Sequence, residues 1–252
     1  MSVDRNRIVD HLNEFLNISG IQDSSCNGLQ VQGVLEIKKI GCAVDACLSV
    51  YEKAINAGCQ MLLVHHGLIW GGLKSITGNL QRQIGFLLSH DLNLYGAHLP
   101  LDMHPVVGNN IVLALAIGLV DTRPFGLYKS SFIGVMGTTP RPMSAEEIGA
   151  LLTAEIGGSH SLLPFGKPLN RTVAVVSGGG SEALTEAIDK GIDCFVTGEP
   201  LHWNHHAARE GRVNVLYCGH YHTETVGVKA LGRHLNERFG VETVFIDEPT
   251  LV

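Results

Sequence analysis

Residues 38–67, KKIGCAVDACLSVYEKAINAGCQMLLVHHG, decide the fold of this chain because they predict a strand, a helix and a second strand in that order. Residues 171–199, RTVAVVSGGGSEALTEAIDKGIDCFVTGE, predict the same three elements. A glycine near the end of the helix holds the same place in both stretches, as Gly58 and as Gly191. The two stretches are therefore predicted to be copies of one α/β unit.

Each copy continues into a further helix and a further strand. The segments Gln81–His90 and Leu201–Glu210 are predicted to be these helices, and each is followed by an apolar run. The predicted strands Thr172–Val176 and Cys194–Thr197 are continuously apolar, which is typical of strands covered by helices on both faces. We therefore predict an α/β fold with two similar, interlinked lobes that arise from an internal repeat.

Two further signals place the lobes along the chain. Ser144 and Glu147 form a capping box, which predicts the start of a helix early in the second half. The segment Asp121–Lys129 contains a proline and a glycine and is predicted to be the linker. The N-terminal lobe is thus predicted at residues 1–125 and the C-terminal lobe at 126–252, with an approximate boundary that an exchange of elements would blur.

Composition and charge narrow the class of protein. The chain has 252 residues, of which 45% are hydrophobic and 17% charged, and this predicts a compact globular protein with a large core. No apolar stretch approaches the roughly 20 residues of a membrane helix, and the N-terminus predicts an amphipathic helix rather than a signal peptide. The formal net charge of −6 disfavours a nucleic-acid-binding module. These features predict a cytoplasmic protein.

The six cysteines, at positions 26, 42, 47, 59, 194 and 218, show no paired spacing. We predict that they are buried thiols, which pack as small hydrophobic side chains. Cys218 lies two residues before His220, and for this cysteine packing is favoured over a role behind a metal ligand.

Histidines and carboxylates follow three of the predicted strands. The first of these strands ends in His65 and His66. The other two end in a histidine that is followed four residues later by a carboxylate, as His98 and Asp102 and as His220 and Glu224. A single such histidine is usually a hydrogen-bonded core residue, but three together favour a metal site, because open α/β sheets bind ligands at the carboxyl ends of their strands. Imidazole nitrogen and carboxylate oxygen suit zinc, iron, manganese and nickel, and the sequence lacks a CxxC pair for a thiolate-bound zinc. The sequence therefore predicts one polynuclear metal site between the two lobes.

Two other segments carry chemistry-bearing residues. The run Ser177–Ser181, SGGGS, offers backbone N–H groups to an anion, but it lacks the Walker lysine and the GxGxxG spacing, so a tight turn is favoured. His202, His205 and His206 lie in a predicted helix, where His202 and His206 share a face. A surface or pocket-lining role suits these three at least as well as metal binding, and we do not count them among the primary ligands.

The sequence resembles the Nif-three-like family, whose bacterial members are called GTP cyclohydrolase 1 type 2 homologues. Six strings match in order and spacing: NGLQVQG, VHHGLIWGG, LYGAHLPLDMHPVVGNN, SGGGS, TGE and GHYHTE. The resemblance covers essentially the whole chain and implies a short member that forms a toroidal homohexamer, with a dinuclear metal centre in each subunit. The motif match implies metal ligands at His65, His66, Asp102, His220 and Glu224, with His98 beside them as an accessory residue.

The chemistry of such a ligand set favours hydrolysis. Three imidazoles and two carboxylates would hold two divalent ions with a residual positive charge, and Glu224 is the expected bridge because it has two oxygens. The ions would make bound water acidic and would clamp a phosphate or carbonyl oxygen. We therefore predict a metal-dependent hydrolase of a nucleotide or small phosphoester. The family resemblance implies opening of the GTP imidazole ring at C8 as one such reaction. The alternative is a non-catalytic metal-binding scaffold or regulatory interaction protein, which would show no metal-dependent turnover.

Overall fold

A computed structural model describes residues 2–72 and 75–250. The chain folds into two compact units, and each is built on a sheet of its own. Among the described residues, the first unit contains the chain up to Leu101 together with Gly227–Glu248, and the second contains Asp102–Val226. Among the described helices, none is long and apolar enough to cross a membrane.

The first unit is built on a five-stranded, mainly parallel sheet. The first unit contains seven strands in the described residues, of which five form this sheet: β1 (Val3–Asp4), β2 (Gly28–Val31), β3 (Glu36–Ile37), β4 (Lys39–Asp45), β5 (Met61–His66), β6 (Asn93–Gly96) and, late in the chain, β13 (Glu242–Phe245). Strands β13, β4, β5 and β6 lie side by side and parallel, and β2 pairs antiparallel with β6 at one edge. Strands β1 and β3 form a separate antiparallel pair. The helices in this part of the chain are α1 (Arg5–Phe15), α2 (Leu48–Asn56), α3 (Gly78–Ser89) and α4 (Leu99–Asp102).

The core of the first unit explains why its central strands are apolar throughout. Leu62 and Val64 of β5 and Tyr51 of α2 are fully buried in one cluster. Removing a large apolar side chain of this kind from water contributes about 1.5–3 kcal/mol. The buried part of the strand therefore leads directly into its last two residues, His65 and His66.

The second unit is built on a six-stranded mixed sheet. Its strands are β7 (Val120–Tyr128), β8 (Ser131–Met143), β9 (Ser161–Pro164), β10 (Asn170–Val176), β11 (Cys194–Thr197) and β12 (Asn214–Tyr217), in the spatial order β7-β8-β10-β11-β12-β9. Neighbouring strands are parallel at the β10–β11 and β11–β12 pairs and antiparallel at the other three pairs. The helices are α5 (Asn109–Ile117), α6 (Ala145–Ile156), α7 (Leu184–Asp189), α8 (Asn204–Gly211) and α9 (His220–Phe239), and the boundary between the units falls within α9.

The two sheets confirm the internal repeat. Strands β4, β5 and β6 are parallel and are followed in space by the antiparallel edge strand β2. Strands β10, β11 and β12 are parallel in the same way and are followed by the antiparallel edge strand β9. Helices α2 and α3 in one unit correspond in chain order to α7 and α8 in the other. The predicted α/β class with two similar lobes is therefore confirmed.

The helix start predicted at Ser144 is also confirmed, although the side chain of Glu147 pairs with Arg141 rather than completing a capping box. Ser144 is the N-cap of α6, and its Oγ accepts a hydrogen bond from the backbone N–H of Glu147 at 3.1 Å. A side-chain cap of this kind typically stabilises a helix by about 1 kcal/mol.

The predicted linker at Asp121–Lys129 is wrong, because nearly all of this segment lies in β7, an edge strand of the second sheet. Pro124 has no N–H to donate, and an edge strand tolerates this because one side of the strand is unpaired. Gly126 has a φ of 73°, which bends the strand. Residues that are typical of a loop are thus equally compatible with a bent edge strand. The division into lobes at 1–125 and 126–252 stays a prediction.

The cysteines are buried at four of the six positions, and these are Cys42, Cys59, Cys194 and Cys218. Burial raises the pKa of the Cys218 thiol to about 12, which agrees with a packing role. Cys47 is partly exposed, and the prediction of burial is wrong for Cys26. The backbone of Cys26, rather than its thiol, makes the contacts, since its N–H donates to the carbonyl oxygen of Ile69 at 2.9 Å.

Candidate metal centre

Three histidines gather at the carboxyl end of the first sheet. His65 and His66 end β5, and His98 follows the neighbouring strand β6 by two residues. Because β5 and β6 are parallel and Val64 pairs with Gly96, the residues that follow these strands come side by side. One ring nitrogen from each of the three histidines lies within 4.8 Å of the others, and His65 is fully buried. This group can therefore hold a metal ion.

Hydrogen bonds fix the orientation of all three rings. His65 donates from Nδ1 to a backbone carbonyl oxygen at 2.9 Å. The Nδ1 of His66 lies 2.7 Å from Oδ1 of Asp45, and the Nδ1 of His98 lies 3.0 Å from both oxygens of Asp23. A carbonyl or carboxylate oxygen can only accept, so Nδ1 carries the proton in each neutral ring. The lone pair is then on Nε2, as in most metal-binding histidines.

Asp23 and Asp45 are site residues that the sequence analysis missed. Asp45 is the last residue of β4 and pairs in register with His66, so a carboxylate at the end of a buried strand was a usable signal. Asp23 lies in a loop, where the sequence carries no comparable signal. Burial acts to raise the pKa of Asp23, but hydrogen bonds from His98, Asn27 and the backbone of Ser25 outweigh this effect and hold the pKa well below its usual range. Asp23 is therefore ionised at neutral pH.

Carboxylates gather at the equivalent end of the second sheet. Strand β12 is followed by α9, which begins at His220 and presents Glu224 one turn later. The Nε2 of His220 lies 3.3 Å from Oε1 of Glu224, and its Nδ1 lies 3.2 Å from Oε2 of Glu199, which follows β11. Glu224 is almost fully buried.

The charge of these carboxylates changes the ionisation of the histidine between them. Burial acts to lower the pKa of His220, but the hydrogen bond and charge of Glu224, followed by those of Glu199, outweigh this effect and raise the pKa to about 9. A proton on His220 therefore offsets part of the negative charge in the absence of a cation. A divalent ion would replace that proton, because a metal ligand must be deprotonated.

Asp102 ends α4 and is held in the second unit by the glycine-rich run. Its Oδ1 accepts hydrogen bonds from Asn109 Nδ2 at 2.8 Å and from Ser177 Oγ at 3.0 Å. The backbone N–H of Ser177 is in turn bound by Asn110 Oδ1 at 2.7 Å. The run Ser177–Ser181 forms a tight turn, as predicted. The hydroxyl of its first residue, Ser177, orients the carboxylate of Asp102.

Gly178 allows the turn to lie directly against Glu224. Its φ is 57°, in the left-handed region that favours glycine, and its N–H donates to Thr223 Oγ1 at 2.9 Å. A Cβ at this position would overlap Oε1 of Glu224. The glycine is therefore required by the close approach of backbone and carboxylate.

The second histidine cluster does not form the predicted helical pair. Helix α8 begins at Asn204, so His202 precedes the helix and does not share a face with His206. His205 packs edge-on against Phe165, with 5.1 Å between the ring centroids. Within the described residues, none of these three histidines belongs to a group of donors close enough to share an ion.

The structure thus brings together His65, His66 and His98 in the first unit and His220 and Glu224 in the second. Asp102 is buried beside Ser177, in the second unit. The convergence of the five predicted ligands on one centre stays a prediction.

Comparison with known proteins identifies relatives along the whole chain. The sequence pattern of the Duf34/NIF3 family (NGG1p interacting factor 3) matches residues 3–250. The chain is 46% identical over 243 residues to the GTP cyclohydrolase 1 type 2 homolog of Archaeoglobus fulgidus, in an alignment that covers 96% of this chain and 97% of that protein.

Solved structures give the same result. The protein TTHA1606 from Thermus thermophilus has a TM-score of 0.92 at 41% identity, over 99% of this chain and 100% of that one. Protein ybgI, described as of unknown function, has a TM-score of 0.92 at 32% identity, over 99% of this chain and 100% of that one. The chain therefore belongs to the Duf34/NIF3 family.

Proposed function

We propose that this protein is a metal-dependent hydrolase of a nucleotide or small phosphoester, with two divalent ions in each subunit. The proposed ligands are those of the motif match: His65, His66, Asp102, His220 and Glu224. The observation that carries the proposal is the histidine group of the first unit, in which ring nitrogens lie within 4.8 Å of one another. An acceptor at each Nδ1 leaves the lone pair on Nε2, which is the arrangement usual for metal ligands, at His65 and His66 and at the accessory His98 beside them.

The residues fit such ions in chemical type and in charge. Imidazole nitrogens and carboxylate oxygens suit several first-row divalent ions, among them zinc, iron, manganese and nickel. Glu224 is buried and lies against the backbone turn at Gly178, so its position is fixed before an ion arrives. The raised pKa of His220 indicates that this end of the second unit already favours a positive charge.

The chain's own residues would orient the substrate and balance charge. Bound divalent ions would supply Lewis acidity towards a phosphoryl or carbonyl oxygen and would lower the pKa of water. Glu224 and Asp102 would neutralise part of the cationic charge and leave a residual positive field that attracts a phosphate. His98, with its lone pair on Nε2, would accept a hydrogen bond from the substrate or from the attacking water.

The name of the Archaeoglobus fulgidus relative, GTP cyclohydrolase 1 type 2 homolog, makes GTP the first substrate to test, including hydrolytic opening of its imidazole ring at C8. The ligand set is equally suited to phosphoester hydrolysis. The family description, by contrast, names an interaction, and it supports the alternative of a metal-binding scaffold or regulatory partner.

One experiment separates the hydrolase from the scaffold. The protein is purified without chelator and without a metal-affinity step, its metal content is measured, and turnover is followed against GTP, other nucleotides and simple phosphoesters. A hydrolase loses turnover when a chelator removes the metal and recovers it when the same ion is restored. A metal-loaded protein that turns over nothing in this panel would contradict the hydrolase proposal and favour the scaffold.

We also propose that the chain forms a closed homohexamer. Large apolar side chains are exposed in the second unit, with Val106 at 67%, Leu115 at 62% and Leu127 at 59% exposure. Self-association would cover such surface, and closed symmetry prevents open-ended growth. Light scattering at micromolar concentration tests this, because a monomeric mass that persists with metal bound would contradict the hexamer.

The cytoplasmic location stays a prediction.

A further inference from the structure

Asp23 is a buried carboxylate that lies in the loop before β2 and outside the proposed ligand set. Its side chain is only 2% exposed. Its oxygens accept hydrogen bonds from the backbone N–H groups of Ser25 and Leu99, both at 3.0 Å, and from Asn27 Nδ2 at 2.9 Å. The remaining partner is the ring of His98. All of these residues belong to the first unit, so the network is complete within one compact body.

The His98 ring is held on several sides. Its Nδ1 lies 3.0 Å from both oxygens of Asp23, and its backbone N–H donates to Asn27 Oδ1 at 2.7 Å. The indole of Trp70 meets the imidazole edge to face, with 4.9 Å between centroids. The indole is itself anchored, since its Nε1 donates to the carbonyl oxygen of Gly67 at 2.7 Å. The ring of His98 therefore has one preferred orientation.

The contact between Asp23 and His98 is more extensive than the equivalent contact between Asp45 and His66. Asp45 is 32% exposed and reaches His66 through one oxygen, whereas Asp23 is buried and offers two. A charged hydrogen bond is electrostatically stronger where water is excluded. We therefore expect Asp23 to constrain its histidine more strongly than Asp45 constrains His66.

We propose that Asp23 is a positioning residue, which holds His98 in the Nδ1–H tautomer so that Nε2 faces the group formed with His65 and His66 as a hydrogen-bond acceptor. An acceptor at Nε2 of His98 selects a bound molecule that carries an O–H or N–H group next to its reacting atom. Water, a substrate hydroxyl and a substrate amine have this property, whereas an ether or a fully substituted nitrogen lacks it. The role of Asp23 in turnover rests on the proposed function, but its effect on the tautomer of His98 does not.

The tautomer is measured directly in the metal-free full chain. Long-range nitrogen–proton NMR of the histidine rings distinguishes the Nδ1–H form from the Nε2–H form. We expect His98 to be in the Nδ1–H form in the unmodified protein and to shift towards the Nε2–H form, which a free imidazole in water favours, in Asp23→Ala. Asp23→Asn keeps the shape and one acceptor oxygen, and we expect a partial shift. An unchanged His98 tautomer in both variants would overturn the proposal.

A matched control removes a charge elsewhere. Asp10 is exposed on α1, so Asp10→Asn makes the same chemical change away from the site. We expect no change in the His98 tautomer for this variant, and thermal unfolding confirms that each protein compared is folded. If Asp23→Ala fails to fold, Asp23→Asn still provides the test.

The second measurement concerns metal content and turnover. In the metal-loaded protein we expect Asp23→Asn to keep its metal but to lose roughly 10–100-fold in kcat/KM, the range typical of residues that orient the histidines of a metal site. His98→Ala should then lose a similar factor, and Asp23→Asn in that background should lose little more. An additive loss in the double variant would overturn the proposal, because Asp23 would then act independently of His98. If the unmodified protein turns over nothing, the hydrolase proposal fails and the tautomer still decides the role of Asp23.

Discussion

The carboxyl ends of the two repeated sheets have the same architecture but carry different donors. In the first unit, β5 and β6 lead into three histidines, each oriented by an acceptor at Nδ1. In the second unit, β11 and β12 lead into Glu199, His220 and Glu224, where carboxylates surround one histidine. A repeated scaffold has thus kept its strand geometry and diverged in the residues that follow its strands. In a metal site built from both units, the first would contribute imidazole ligands in a fixed orientation, and the second would contribute the negatively charged carboxylate ligands.

The largest expected effect comes from removing the charge of the second unit. Glu224→Gln keeps the shape of the side chain but removes the charge that offsets two cations, so we expect roughly a hundredfold loss of metal affinity at both positions. His98→Ala should leave both positions largely filled, since His98 is accessory. The metal content per subunit of the two purified variants checks this. Equal losses would show that Glu224 and His98 do not differ as ligand and accessory residue.

The ionisation of His220 predicts a pH dependence of metal binding that originates in the second unit. Its pKa of about 9 means that a proton competes with the metal throughout the neutral range. Zinc affinity, measured against a competing chelator, should therefore rise with pH up to about 9, by up to about tenfold per pH unit. Glu199→Gln removes one of the charges that raise this pKa and should move the rise to lower pH. An affinity that stays constant between pH 7 and pH 9 in both proteins would contradict this origin.

A pair of glycine substitutions tests how closely the second unit is built around its carboxylate. Gly178→Ala introduces strain at a φ of 57° and also overlaps Glu224, whereas Gly191→Ala introduces strain at a φ of 64° with open space around it. Both should lose about 1–2 kcal/mol of unfolding free energy from the backbone. Gly178→Ala should lose about 1–3 kcal/mol more from overpacking and should also bind metal more weakly. Equal unfolding free energies and equal metal contents would contradict the close approach.

The smallest expected effect lies at the opposite end of the second sheet. Asp193 precedes β11 and accepts hydrogen bonds from Lys167 Nζ and from the backbone N–H groups of Arg171 and Thr172. Burial acts to raise its pKa, but these hydrogen bonds outweigh burial and lower it. A lowered pKa stabilises the fold above the ordinary value of about 3.9, and this contribution is lost as the pH falls through the lower folded value.

Asp193→Asn should therefore lower the free energy of unfolding by roughly 1–2 kcal/mol at pH 7. It should also weaken the pH dependence of that free energy below about pH 5. Metal content should not change, because the residue lies at the end of the sheet away from the ligands. Chemical denaturation at several pH values measures the first two effects. A loss of metal in this variant would show that the two ends of the sheet are not separate in function.

The sequence predicted the repeat and the strand ends well, because continuous apolar runs and strand-final histidines are local signals. Cys194–Thr197 coincides with β11, and the cap at Ser144 is present. The segment 121–129 was not predicted as a strand, since its proline and glycine are compatible both with a linker and with a bent edge strand. Asp23 could not be predicted, because a loop carboxylate acquires its role only when the fold brings His98 to it, 75 residues along the chain.

The central proposal is that His65 and His66 of the first unit bind the same pair of ions as Asp102, His220 and Glu224 of the second unit. Anomalous diffraction from crystals of protein purified without chelator tests it most directly. We expect two metal peaks, with ligand atoms of His65, His66, Asp102, His220 and Glu224 at roughly 2.0–2.2 Å from them. A single ion held only by His65, His66 and His98, or Glu224 far from every metal peak, would contradict it.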